Sequence, residues 1–141
     1  MVLDVYLQKE KSSPVSGGSQ KLVLQFEDNG YYWFLRPLFE KLAQETNQMI
    51  DLYGSAHFSA KSLNYLGETI NKARKALSKR ANVWEELIGT ISHKDENKDA
   101  DKVEKRYSTV NKKKLESMLD QLEKAVFEAR EKNLGIFFFG D

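Results

Sequence analysis

Cysteine is absent from the chain, histidine and proline occur twice each, and no apolar run is longer than a few residues. Without thiols there is no disulfide framework, no thiolate nucleophile and no soft metal ligand, and the composition fits a reducing compartment. The longest apolar stretches, such as Ile136–Phe139, fall far short of the roughly 20 residues a membrane-spanning helix needs. The opening MVLDVYLQKE has no basic start and no sustained apolar segment, so no signal peptide is expected. Charge of one sign is missing too: the net charge is +1, and no overall field steers the chain toward nucleic acid or acidic lipid.

What remains is the composition of a soluble globular domain. Hydrophobic residues make up 40 % and charged residues 30 % of 141 positions. A single domain of this length buries roughly two thirds of its unfolded surface, enough for a core of its own.

The pattern along the chain predicts strands at Val2–Leu7 and Lys21–Phe26, plausible antiparallel neighbours. In the second, Leu22, Leu24 and Phe26 share one face by strict alternation. Between them Lys11–Gln20, with Pro14, Gly17 and Gly18, reads as a flexible connection. A first helix is predicted over about Tyr32–Asn47, with Pro37 forcing either a later start near Arg36 or a kinked first turn. Ser59 is the expected N-cap of a second helix, with Leu63, Leu66, Ile70, Ala73 and Leu77 as its buried stripe. Val83–Ile91 is read as a strand with a possible bulge at Gly89. Lys94–Arg106 holds five basic and five acidic residues and is expected to be a solvated loop. Asn111 should cap a third helix buried through Leu115, Leu119, Leu122, Val126 and Ala129, Asn133 should end it, and Gly135–Phe139 should close the fold as a strand. The expected class is α+β: a small mixed or antiparallel sheet with about three helices on one face, in a single domain spanning residues 1–141.

No reactive constellation is legible. Nucleophilic catalysis would need serine or threonine with one of the two histidines. His57, in Gly54-Ser55-Ala56-His57-Phe58, could work with Ser55 or Asp51, but no GxSxG elbow is present, and an ordinary loop histidine is the simpler reading. His93 merely leads into the charged loop. Asp95, Glu96, Asp99 and Asp101 lack the central glycine and terminal glutamate of a calcium loop, and interleaved lysines would repel a cation. Neither a metal nor a cofactor is expected, and the glycines form neither a P-loop nor a dinucleotide fingerprint.

Binding is the better-supported expectation. Tyr31-Tyr32-Trp33-Phe34 places four aromatics at a helix start, where they cannot all face one core. Tyr31 and Trp33 are the pair expected to be partly exposed or capped by other segments, and such residues dominate binding hot spots. Asp51 and Tyr53, in Asp51-Leu52-Tyr53-Gly54, set a carboxylate beside a phenol in a turn. Lys112, Lys113 and Lys114 place cations at a helix start, against the dipole, and suit an acidic partner. Residues 59–80 carry six basic residues against one acidic, but the helix C-terminus accounts for them, and nucleic acid is disfavoured.

The segments FLRPLFEKLAQ (Phe34–Gln44), IDLYGSAHF (Ile50–Phe58), WEELIG (Trp84–Gly89) and GIFFFGD (Gly135–Asp141) together resemble small bacterial immunity-type proteins of polymorphic or contact-dependent toxin systems. The resemblance implies a cytoplasmic, non-catalytic protein that binds and neutralises a cognate toxin domain. The alternatives are a small hydrolase or transferase using His57 with Asp51, and a homodimeric or accessory subunit pairing through an edge strand at Ile136–Phe139.

Overall fold

Alternating apolar and polar residues suit a half-buried strand, and the computed structural model forms strands β1 (Val2–Lys9) and β2 (Lys21–Glu27) from two such segments. It describes residues 2–9, 20–93 and 102–140, so the expected connections at 11–19 and 94–101 lie outside the described residues. The chain continues as α1 (Gly30–Thr46), β3 (Ser55–Phe58), α2 (Lys61–Ser78), β4 (Val83–His93), β5 (Lys102–Asn111), α3 (Lys112–Lys132) and β6 (Leu134–Phe139). Four strands form one sheet in the order β2-β1-β6-β3, while β4 and β5 pair as a separate ribbon. All pairs are antiparallel. The α+β class holds, with three helices packed against two antiparallel sheets in place of one.

The inner face of the larger sheet carries Leu3, Val5, Leu7, Leu24, Phe26, Ala56, Phe58, Ile136 and Phe138, all buried. The stripes of α2 and α3 named above are buried in the same cluster, as 3.6-residue periodicity requires. Position β6 is central, bonded to β1 on one side and β3 on the other. Ile136–Phe139 therefore has no free edge to pair with a second copy, and the sheet edges are β2 and β3. A run apolar on both faces suits a strand with neighbours on both sides.

Three strand expectations change. In β2 the register skips Val23, because Val5 pairs with Leu24 and Tyr6 with Leu22. This bulge turns Leu22 to the outer face, where it is 48 % exposed against 8 % for Leu24. The four-residue β3 escaped the pattern because only Ala56 and Phe58 point inward. Residues 102–106, expected in a loop, belong to β5 and pair with β4 from Gly89 to His93. A two-stranded ribbon leaves both faces near water toward its tip, so it needs no apolar alternation there.

Helix boundaries follow local polar chemistry. The Asn29 side chain accepts from the Tyr31 amide at 3.1 Å, and α1 runs through Pro37 without ending; the proline has no amide to donate to the Trp33 carbonyl. Asn47 (φ 61°) ends α1 and Asn133 (φ 55°) ends α3 in the left-handed region. Asn111 caps α3, accepting from the Lys113 and Lys114 amides. Ser59 is not the cap of α2. Instead the Ser62 hydroxyl accepts from the Ser59 amide at 2.7 Å and donates to the Ser59 carbonyl at 2.8 Å, with Ala60 at the cap position.

The ribbon docks by its base on α1. Phe34 and Trp84 meet edge to face at 5.3 Å, and the Gly30 amide donates to the Ser108 hydroxyl at 2.9 Å. A Cβ at Gly30 would stand 2.5 Å from Val110 Cγ2, so the approach requires glycine here.

Candidate functional site

Residues two apart on a helix point some 200° away from each other, and this divides the aromatic run. Tyr31 turns toward the ribbon and α3. It is buried, its hydroxyl accepts from the Asn111 amide at 3.0 Å, and Lys114 Nζ stands 5.0 Å from its ring centroid. Thus the structure brings Tyr31 and Lys114 together, as a cation resting on a capped aromatic face. Lys112 is spent inside the fold: its ammonium donates to the Arg80 carbonyl at 3.2 Å and the Ser78 carbonyl at 3.5 Å, at the end of α2. A cation that opposes the dipole at the start of α3 is thereby favourable at the C-terminus of α2. Lys113 stays exposed, with only its backbone tied to Asn111.

Trp33 turns the other way. Its indole donates to Asp28 at 2.8 Å, and the Arg36 guanidinium lies 5.2 Å from its ring. Arg36 also donates to the Tyr32 hydroxyl at 3.1 Å and to Glu40 at 3.2 Å, and the Tyr32 hydroxyl donates to the Ile50 carbonyl at 2.9 Å. Burial holds the Tyr32 phenol above its ordinary pKa; Arg36 opposes that rise and Asp51 adds to it. Asp51 accepts from the Tyr53 amide at 3.2 Å, and the Tyr53 ring is exposed. Trp33 thus packs on Arg36, Asp51 adds to the electrostatics of Arg36 without bonding it, and Asp51 holds the Tyr53 amide. The expected binding residues fall in separate places.

His57 stacks on Phe137 with centroids 4.1 Å apart, its amide donates to Gln48 at 2.8 Å, and its Nε2 is buried with no hydrogen-bond partner. Among the described residues, then, no carboxylate or hydroxyl is bonded to that nitrogen, as a base poised for catalysis would require. No cluster of three or more His, Asp and Glu side chains among the described residues is arranged to hold a metal ion. No described helix is long and apolar enough to cross a membrane.

Three surfaces went unrecognised in the sequence. Pairing places Val83 and Leu87 of β4 on the same face of the ribbon as Val103 and Tyr107 of β5, with Leu87 directly opposite Tyr107. All four are 42–60 % exposed, on the face turned away from Trp84 and Val110. On the same face Glu85, bonded to Thr109, lies between Val83 and Leu87, and Lys105 lies between Val103 and Tyr107. Within each strand the pairs Val83–Leu87 and Val103–Tyr107 are four residues apart and so share a face by alternation, but only strand pairing puts the two pairs on one face. On the outer face of the larger sheet, one row crosses all four strands as Leu22, Tyr6, Phe137 and His57. Phe139 lies beside it, 6.0 Å from Phe137 and 5.9 Å from Tyr6. An open groove of about 480 Å³ also runs between α2 and α3, bordered by Glu68, Glu123 and the exposed Phe127. Searches against protein-family models, curated proteins and solved structures find no match to this chain.

Proposed function

We propose that the chain is a non-catalytic protein-binding module of the immunity type, which binds a cognate bacterial toxin domain in the cytoplasm and neutralises it. The observation that carries this reading is the stripe Val83, Leu87, Tyr107 and Val103 along one face of the β4–β5 ribbon. The Leu87–Tyr107 pair at its middle, with Val83 and Val103 beyond the interleaved Glu85 and Lys105, offers exposed apolar anchors set among polar groups, the make-up of a binding patch. A ribbon held to the body only by its base offers that face, and two strand edges, to a partner's cleft. Resemblance of four chain segments to immunity-type proteins supplies the class of partner. Trp33, Tyr53 and the exposed Lys113 are secondary contacts in this reading.

The test is protection of a bacterial host from the toxin encoded beside this gene, together with calorimetric binding to the toxin domain. Leu87→Asp and Tyr107→Asp should each weaken binding by about 2 kcal/mol or more, a thirty-fold rise in Kd, and abolish protection. Asp51→Ala and His57→Ala should protect fully. Failure of the unaltered protein to protect or bind would overturn the proposal, and loss of protection in His57→Ala alone would favour the enzyme reading.

A further inference from the structure

The three helices pack on the inner face of the four-stranded sheet, against Leu3, Val5, Phe26 and Phe138. The outer face has a different chemistry. Its central row, Leu22-Tyr6-Phe137-His57, is apolar and aromatic from edge to edge, and Phe139 extends it by one step. His57, Phe137, Phe139 and Tyr6 are half-buried because they lie against one another. Charge is sparse here: Asp4 accepts from the Gln25 amide at 2.7 Å, and Glu27 stands at the corner opposite Val2. No described helix covers this face, and a row of apolar and aromatic residues across it differs from the polar outer face usual for such a sheet.

We propose that this outer face is the contact surface between two copies of the chain, stacked sheet on sheet. The proposal is independent of the ribbon and of the toxin. The row is complementary to its own reverse. A two-fold axis parallel to the strands, midway between the central strands β1 and β6, sets Tyr6 of one copy over Phe137 of the other. The same axis sets Leu22 over His57, and it separates the two Asp4 carboxylates onto opposite sides of the interface. The two acidic residues of this face, Asp4 and Glu27, lie off the central row, and along that row an identical face supplies matching aromatic and aliphatic contacts. Four strands about 4.8 Å apart and some six residues long present roughly 400 Å² of flat sheet per copy. Side-chain relief raises that area toward the lower end of specific interfaces, so the dimer should be of micromolar affinity and reversible.

Sedimentation equilibrium from about 5 to 500 µM tests this. The unaltered protein should pass from the chain mass of 16.3 kDa to twice that value. Leu22→Glu removes an exposed residue that makes no core contact, and Tyr6→Glu alters the middle of the row. Each should weaken association at least about tenfold while the circular dichroism spectrum stays native. Leu87→Glu, on the ribbon, should dimerise as the unaltered protein does. A protein that remains monomeric throughout the range overturns the proposal. A dimer that survives Leu22→Glu and Tyr6→Glu, or one that Leu87→Glu dissociates, overturns it as well and moves the contact to another surface.

Discussion

The imidazole of His57 lies flat against the ring of Phe137, their planes 14° from parallel, and its Nε2 faces Gly135, where a Cβ would stand 2.7 Å away. Glycine at 135 is therefore what gives the imidazole its place on the sheet. Gly135→Ala should destabilise the fold by about 1–3 kcal/mol, since the added methyl also meets Phe137 Cε2 at 3.1 Å. In a His57→Ala background the same substitution should cost less than half as much. Urea unfolding of the four proteins in the double-mutant cycle measures the coupling; strictly additive effects would mean that the ring is not the obstacle.

Tyr32 links α1 to the turn after it through its bond to the Ile50 carbonyl. Tyr32→Phe should cost about 1–2 kcal/mol at neutral pH, because a buried carbonyl and the Arg36 guanidinium lose a partner. The same variant should be less sensitive to alkali. The folded phenol titrates above its ordinary value of 10.0, so in that window the unfolded chain has released a proton the folded chain keeps. Stability then falls as pH rises through the window, having been fully present below it. Denaturation midpoints above about pH 10 should decline less steeply for Tyr32→Phe than for the unaltered protein; equal slopes would refute the assignment.

Ala60, at the start of α2, holds φ 49° and ψ −118°, a conformation that a Cβ disfavours and glycine adopts freely. Ala60→Gly should stabilise the protein by about 1 kcal/mol, read as a rise in thermal midpoint by calorimetry. A fall would show that the methyl group contributes more in packing than the backbone loses in strain.

The parts legible in the sequence were those where one rule decided the outcome. The stripes of α2 and α3, the Asn111 cap and the Asn133 terminator each follow from helical spacing or a single side chain, and they stand where expected. Val83–Ile91 as a strand was legible for the same reason, although β4 runs on to His93, and the expected bulge at Gly89 matches a register shift between Leu87 and Gly89. Apart from the cap of α2, where Ser62 bonds Ser59 locally, the misses depended on pairing between distant segments. Leu22 faces outward because β2 slips by one residue against β1, a register that nothing inside KLVLQFE specifies. Residues 102–106 are too polar to announce a strand, and only β4 makes them one.

The site was divided in the same way. Helical geometry alone separates Tyr31 from Trp33, and that much could be read ahead. The use of Lys112 at the far end of α2 could not, because Lys112 and the Arg80 carbonyl are 32 residues apart. Nor could the outer row of the sheet: its members come from positions 6, 22, 57 and 137, and no local window holds two of them.

Strand β6 follows the other described strands in sequence yet lies between two of them in the sheet, with Leu7 paired to Ile136. During synthesis the β1–β2 hairpin and the short β3 must wait, with unsatisfied edges and bare apolar faces, until residues 134–139 have left the ribosome. Long-range closure of this kind slows folding and leaves an aggregation-prone nascent chain that a holdase would shield. It also makes two strands of the sheet unequal in engineering: disrupting β6 would part β3 from β1, whereas fraying of β2 would only trim the sheet's margin.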